Sequence, residues 1–315
     1  MRLQRLLTQR IQTANGFKDA LGIELTGPFD VLPHTKPVEL PTPLYLHGRS
    51  FYDPPEVITL MRQNAKTFGY FRDDPKQTPK YVVEGSVSNG SFGFSGASLT
   101  EVLTKLAKEA PETDSTKKLL EVLPAPVIEA QPGPPSPKRR RGASRSQVTS
   151  RGRQRGRKVT HTDQDGNQVQ VERLQFDTRP RNITHVRLAE VIGFTASGLG
   201  IAVPTKEITA PGGRGSTVLG FRDLPLTGQA LSAFLESATS RGPQLDDLIT
   251  RATIACDECD FGTTLQLGLD LWTQGVKFEN EALGLLESAY MMLGRSAFGK
   301  LARLHVQHRR RQLQE

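Results

Sequence analysis

Between Ala130 and Thr162 the chain carries ten Lys or Arg residues and no Asp or Glu. The same stretch, from Gln131-Pro-Gly-Pro-Pro-Ser-Pro-Lys-Arg-Arg-Arg141 through Arg151-Gly-Arg-Gln-Arg-Gly-Arg-Lys158, is crowded with Pro, Gly and Ser and poor in apolar side chains. Such a composition cannot bury enough apolar surface to offset the entropy of ordering it. It predicts a mostly disordered insert over about 111–181, with a helix possible at Ser115 to Leu123, and one folded portion on either side. The formal charge is +8, so these ten cations leave the rest of the chain net acidic.

The first folded portion, 21–110, is cut into short pieces by Pro43, Tyr52-Asp-Pro-Pro-Glu56, Asp73-Asp-Pro75 and repeated glycines. Thr67 to Phe71 and Lys80 to Val83 read as strands. A helix follows, because Ser98-Leu-Thr-Glu101 has the form of a capping box and Leu99, Val102, Leu103, Leu106 and Ala107 recur on one face. The second portion, 182–308, opens with strand-like Gly198 to Val203 and Thr217 to Phe221 and then turns helical. Thr227 is placed to cap a helix that presents Ala230, Leu231, Phe234 and Leu235. Further helices are expected over Leu245 to Cys259, over Thr263 to Gln274 with Gly275 as the stop, and from about Glu279 to His308. The fold class expected is α+β, with a mixed strand and helix N-terminal portion and a mainly helical C-terminal portion carrying a few strands.

Residues 1–20 are expected to form a helix or tail, and 309–315 a tail. Leu3, Leu6, Leu7 and Ile11 fall at helical spacing among Arg2, Arg5 and Arg10, with no acid before Asp19. That pattern suits a short docking helix or a mitochondrial presequence. No run approaches the roughly 20 apolar residues that span a bilayer, so no membrane association is expected. The two cysteines, Cys256 and Cys259, are too close together to staple a chain of 315 residues, which leaves stability to packing.

Leu245, Leu248, Ile249, Ala252, Cys256 and Cys259 share one face of their expected helix, so Asp257 and Glu258 point away from it. Asp260 follows at what reads as a frayed end, and Phe261-Gly262 breaks the helix. Three carboxylates in four residues at a helix C-terminus, where the macrodipole is also negative, call for a cationic or hydrogen-bonding partner. Two readings stay open: a solvated acidic helix end, or a general base or docking patch, since crowding of like charges favours proton uptake by a carboxylate. A zinc site would need ligands beyond the two thiols, and His305 and His308 stand at unusual spacing. A redox pair wants electropositive surroundings, and Asp257 and Glu258 supply the opposite. An acidic helicase box needs a phosphate loop, and Gly212-Gly-Arg-Gly-Ser216 lacks its lysine. No metal site and no cofactor held by this chain is expected, nor the Ser/His/Asp arrangement of an independent hydrolase. Arg222, in Gly220-Phe-Arg-Asp-Leu-Pro225, reads either as a solubilising loop residue or, beside Phe221, as an interface anchor. Lys138, Arg139, Arg140 and Arg141 read as a nuclear import signal or as a segment that grips RNA or DNA phosphates without sequence preference.

Asp257-Glu-Cys-Asp-Phe-Gly262, Leu265-Gln-Leu-Gly-Leu-Asp-Leu271, Ala289-Tyr290 and Leu293 together resemble the C-terminal part of the histone PARylation factor family. Gly22-Ile-Glu-Leu-Thr-Gly-Pro-Phe-Asp30, Phe51-Tyr-Asp-Pro-Pro-Glu56, Gly69-Tyr-Phe-Arg-Asp73 and Tyr81-Val82 resemble its N-terminal part in the same order. The resemblance implies an accessory factor that binds the catalytic domain of a poly(ADP-ribose) polymerase and directs ADP-ribosylation to serines of histones. It implies a nuclear, chromatin-associated role in the DNA damage response. By resemblance, Glu258 is a catalytic general base, Asp257, Arg222, Asp260 and Phe221 bind the partner, and NAD is bound by the polymerase rather than by this chain. The chain alone is then not an enzyme. Three departures stand out: the basic insert, Phe221 in place of a tyrosine, and a Trp272-Thr-Gln-Gly-Val-Lys277 turn without the aromatic and histidine residues of animal members.

Overall fold

A computed structural model describes residues 15–31, 40, 42–79, 81–123, 159–162, 168–171, 191–209 and 216–313. In chain order the elements are α1 (Asn15–Leu21), β1 (Ile23–Leu25), α2 (Pro28–Val31), β2 (Val57–Gln63), β3 (Lys66–Phe71), β4 (Tyr81–Ser86) and β5 (Phe92–Gly96). Then come α3 (Leu99–Glu109), α4 (Asp114–Val122), β6 (Val159–Thr162), β7 (Gln168–Val171), β8 (Val191–Phe194), β9 (Gly200–Ala202), β10 (Lys206–Thr209) and β11 (Ser216–Leu219). The chain closes with α5 (Gly228–Ser237), α6 (Pro243–Asp257), α7 (Phe261–Trp272), α8 (Glu279–Met292) and α9 (Ser296–Gln312). The class is α+β: a strand-rich N-terminal region and a helical C-terminal one. Among the described residues no helix is long and apolar enough to cross a membrane.

Strands β1 to β5 form one antiparallel sheet in sequence order, with β-bulges between Thr59 and Met61 and between Val82 and Val83. Both faces are covered, which is why Tyr81, Val82 and Val83 are buried in succession rather than alternately. One face sets Ile23, Met61, Phe68 and Val82 against Phe17 of α1, Leu99 and Leu103 of α3 and Leu119 of α4. The other sets Val57, Phe71, Tyr81, Val83 and Phe92 against Leu199, in the turn between β8 and β9.

The start of α3 differs in detail from the expected box. The Ser98 hydroxyl accepts from the Glu101 amide at 3.2 Å, but the Glu101 carboxylate takes the amide of Ala97 instead of that of Ser98. Thr227 occupies the N-cap of α5 without making a side-chain cap bond. Helix α4 begins in a reciprocal capping box between Thr113 and Thr116 and packs Leu119 and Leu120 into the core. Residues 111–123 thus belong with the folded region, not with the insert, because their apolar face has a partner.

Contacts divide the chain into two units, one from 1–126 with 180–315 and the other 127–179. In the second unit β6 and β7 pair as an antiparallel hairpin, an element that the Pro and Arg content of the surrounding segment hides. Within the first unit the two regions share an interface. Tyr290 donates to Glu56 at 2.6 Å, Trp272 Nε1 to the carbonyls of Tyr52 and Asp53 at 3.2 and 3.3 Å, and the Phe92 amide to Ser197 at 2.7 Å.

Helix α7 is the axis of the C-terminal region and is buried at every position from Gly262 to Trp272, its polar side chains along with its apolar ones. Leu231 and Leu235 of α5, Leu245, Leu248 and Ala252 of α6, Leu286 and Tyr290 of α8, and Phe298 and Ala302 of α9 share one hydrophobic core with it. Two expectations fail here. The single helix from Glu279 to His308 is two, because Gly294 adopts φ +70° and the Arg295 amide turns back to the Tyr290 carbonyl at 2.7 Å, ending α8 in a left-handed cap. The expected tail is helical through Gln312, and Arg309 is fully buried with its guanidinium 3.9 Å from the Trp272 ring centroid and 4.8 Å from that of Phe51.

Candidate functional site

Helix α6 stops two residues earlier than its apolar spacing implies. Its last helical residue is Asp257, Glu258 is the C-cap, and Cys259 takes φ +67°. The amide of Asp260 then bonds the Ala255 carbonyl at 2.7 Å and that of Cys259 the Cys256 carbonyl at 3.1 Å, the two bonds of a Schellman turn. This reversal turns Cys259 outward and Asp260 inward. Cys256 is buried and Cys259 exposed, so only the first thiol packs in the core as expected. Burial raises the Cys256 thiol above its ordinary value, which keeps it protonated and inert.

Asp260 neither frays nor faces outward to bind a partner: it is buried, with a side chain only 3% exposed. One oxygen accepts the Gly220 amide at 2.8 Å and the other faces Arg222 Nη2 at 3.0 Å. The same guanidinium nitrogen reaches Glu258 Oε2 at 2.5 Å. Arg222 is therefore the cation that the acidic cluster requires, and its hydrogen bond to Glu258 holds the guanidinium charge more firmly than usual. With Asp257 exposed, three carboxylates against one guanidinium leave the corner net negative.

The loop bearing Arg222 is fixed from below by the first turn of α7. Thr263 Oγ1 accepts the Arg222 amide and donates to the Arg222 carbonyl, both at 2.7 Å. The Gly262 amide bonds the Gly220 carbonyl at 2.8 Å, and a Cβ on Gly262 would stand 2.8 Å from that same oxygen, so the backbones approach this closely only with glycine there. Thr264 donates to the Ala252 carbonyl at 2.7 Å and ties α7 to α6. Phe221 is half-buried and lies over Gly193 of β8, where a Cβ would meet its ring at 2.8 Å.

The candidate groups at this corner face outward. The Glu258 and Arg222 side chains are 49% and 55% exposed, and Asp257 beside them is exposed. A half-exposed carboxylate at a helix C-cap, paired with a half-exposed arginine, can accept a proton or an ion pair from another molecule. Sequence reasoning singled out Glu258, Asp257, Asp260, Arg222 and Phe221, and the fold brings all five to one corner. It missed Thr263 and Gly220, whose signal is faint: a polar residue one turn into an apolar run, and a glycine at the end of a strand. Lys138, Arg139, Arg140 and Arg141 lie outside the described residues. Among the described residues no group of three or more His, Cys, Asp or Glu is arranged to hold a metal ion. His305 lies buried against the Trp272 ring, 5.5 Å between centroids, well inside the core.

Comparison with known proteins adds a second line. The family described as Histone PARylation factor 1 matches residues 3–130 and 147–309. The protein named Histone PARylation factor 1 from Bos taurus is 28% identical over 322 residues, covering 95% of this chain and 78% of its own. Its namesakes from Mus musculus and Danio rerio are 28% and 27% identical, over 94% of this chain and 78% and 76% of theirs.

Proposed function

This chain belongs to the histone PARylation factor family, and from that premise we propose that it completes the active site of a poly(ADP-ribose) polymerase with the carboxylate of Glu258. The observation that carries the reading is the outward-facing Glu258 at the C-cap of α6, paired with an exposed arginine and not locked into its own core. The polymerase catalytic domain binds NAD. A serine hydroxyl of a histone attacks the ribose carbon that bears nicotinamide, forming the new C–O bond as the bond to nicotinamide breaks. That hydroxyl is a weak nucleophile at neutral pH, so Glu258 takes its proton as the attack proceeds. A Glu or Asp acceptor is ionised already and needs no such help, which makes the added base a selector for serine.

Asp257 and Arg222 dock the polymerase, with Phe221 next to Arg222 along the chain. In the free chain Arg222 occupies Oε2 of Glu258, so a partner acceptor that draws the guanidinium away also frees the base. The work takes place on chromatin in the nucleus after DNA damage, and this chain binds no cofactor of its own and is silent without its partner.

The test is reconstitution with an activated polymerase, NAD and a histone peptide, with the modified residue mapped. Glu258→Gln keeps the shape and removes the base; it should bind the polymerase and lose serine modification by about 100- to 10,000-fold, the usual worth of general-base help. Arg222→Ala should instead raise the concentration of factor needed for half the effect. Serine modification at the parent rate with Glu258→Gln would refute the assignment.

A further inference from the structure

Arg222 and Glu258 are half exposed, so their placement must come from what lies under them. Helix α7 is apolar and buried along its length, yet Thr263, Gln266 and Asp270 set a polar stripe on one side of it. Each of these side chains is committed to backbone of residues 194–222. Thr263 holds the amide and carbonyl of Arg222 at 2.7 Å, Gln266 Nε2 donates to the Phe194 carbonyl at 3.0 Å, and Asp270 Oδ1 accepts the Ala196 amide at 2.6 Å. Just ahead of the helix, Asp260 holds the Gly220 amide at 2.8 Å and faces Arg222 at 3.0 Å. Buried polar groups persist only when bonded, so the stripe is matched to these backbone positions: Thr263 to the loop of Arg222, and Gln266 and Asp270 to the end of β8 and the turn after it.

We infer that Thr263 and Asp260 are positioning residues for the Arg222 and Glu258 pair: buried groups that touch no reacting atom and decide where the guanidinium starts from and how the glutamate is held. The inference rests on the reading of Glu258 given above. Thr263 grips both polar groups of one residue, which fixes the orientation of that peptide as well as its position. Asp260 adds an anchor on the residue two before it and a charge opposite the guanidinium itself. Neither is exposed enough to be a docking residue, and their effect on a partner passes through Arg222.

The test measures the rate of serine modification against factor concentration, which separates the plateau from the half-saturating concentration. Thr263→Val keeps the branched shape and deletes the hydroxyl; it should raise the half-saturating concentration, as Arg222→Ala does, and so lower the ratio of plateau to half-saturation roughly ten- to a hundredfold, the scale of slight misplacement of an interacting group. Thr263→Ser, which keeps both hydrogen bonds, should restore most of it. In an Arg222→Ala background Thr263→Val should add less than about twofold, because contacting residues are not additive when one acts through the other. A parent-like plateau and half-saturation for Thr263→Val, a serine variant as poor as the valine one, or full additivity with Arg222→Ala would each overturn the inference. If Thr263→Val shows no cooperative unfolding, Asp260→Asn takes its place in the same cycle, since it keeps an oxygen for the Gly220 amide and removes only the charge. Glu258→Gln run alongside separates the two failures. An inactive Glu258→Gln with an unperturbed Thr263→Val sinks the positioning role alone; a fully active Glu258→Gln sinks the general-base reading, and coupling to Arg222 is then judged from half-saturation.

Discussion

Two carboxylates three positions apart should respond to alanine in opposite ways. Asp260→Ala removes the acceptor of the Gly220 amide and one of the two oxygens that face Arg222. The amide lies beneath the turn, where it finds no replacement, and a buried donor left without a partner costs about 1–3 kcal/mol. The Arg222 side chain is 55% exposed, so water screens the loss of its ion pair with Asp260 and that part adds little. A total of about 1–3 kcal/mol lowers the unfolding midpoint by roughly 2–12 °C, at about 2–4 °C per kcal/mol for a chain of this size. Asp257→Ala removes an exposed charge from the last residue of α6, where the helix dipole already disfavours it, and should be neutral or stabilising by about 0.3–0.5 kcal/mol. Thermal and urea unfolding followed by far-UV circular dichroism and by Trp272, the single tryptophan of the chain, gives both numbers on one preparation. If Asp260→Ala stays within about 0.5 kcal/mol of the parent, or if Asp257→Ala is the more damaging of the two, the carboxylate is not seated under the loop and the site geometry is wrong.

Burial pushes the Asp270 carboxyl up to about 8 from an ordinary 3.8, so the folded state holds the proton more tightly than the unfolded one and stability falls as pH rises between those values. Asp270→Asn keeps an oxygen for the Ala196 amide and imitates the neutral acid; it should be more stable than the parent at pH 8 by on the order of a few kcal/mol and little different at pH 4, with parallel urea midpoints across pH refuting the shift. Glu56, which burial pushes up to about 7, leaves the variant its own slope between about 4.5 and 7. Two glycines with open space around them should split in sign: Gly294→Ala, forced to φ +70°, loses about 1 kcal/mol, whereas Gly284→Ala inside α8 gains about 0.5–1 kcal/mol. Chemical denaturation of both variants checks the pair, and a loss at Gly284 would show that α8 is not helical there.

The need for a cation at the acidic corner is legible in Asp257, Glu258 and Asp260, because charge of one sign at a helix end must be compensated. Which cation is not legible, since Arg222 arrives from a separate loop and only the packing of α7 on that loop brings it over. The stop of α6 is misread for a related reason. Three-and-four spacing carries on to Cys259, and a cysteine at positive φ is locally unfavourable, so nothing local argues for a turn there; the turn exists because Asp260 must reach Gly220. At Gly294 the local signal is present and the apolar rhythm of Leu285, Leu286, Ala289, Phe298 and Ala302 runs across it. In the insert, Val159 to Thr162 and Gln168 to Val171 flank Asp165-Gly166, a recognisable hairpin signal that the average composition of the segment conceals.

The polar residues of α7 teach the most general point. Against Leu265, Leu267, Leu269 and Leu271, the residues Thr263, Gln266 and Asp270 look like interruptions of an apolar run, and periodicity gives them no meaning. Yet a helix this apolar has to be buried, and a buried polar side chain has to be bonded. The two requirements together turn each interruption into a pointer toward a tertiary contact, and three of them at i, i+3 and i+7 point in a common direction. Sequence therefore carries the existence and the side of the contact. Its partner is supplied only by the fold, and here the partners are the backbone of Arg222 for Thr263 and that of Phe194 and Ala196 for Gln266 and Asp270.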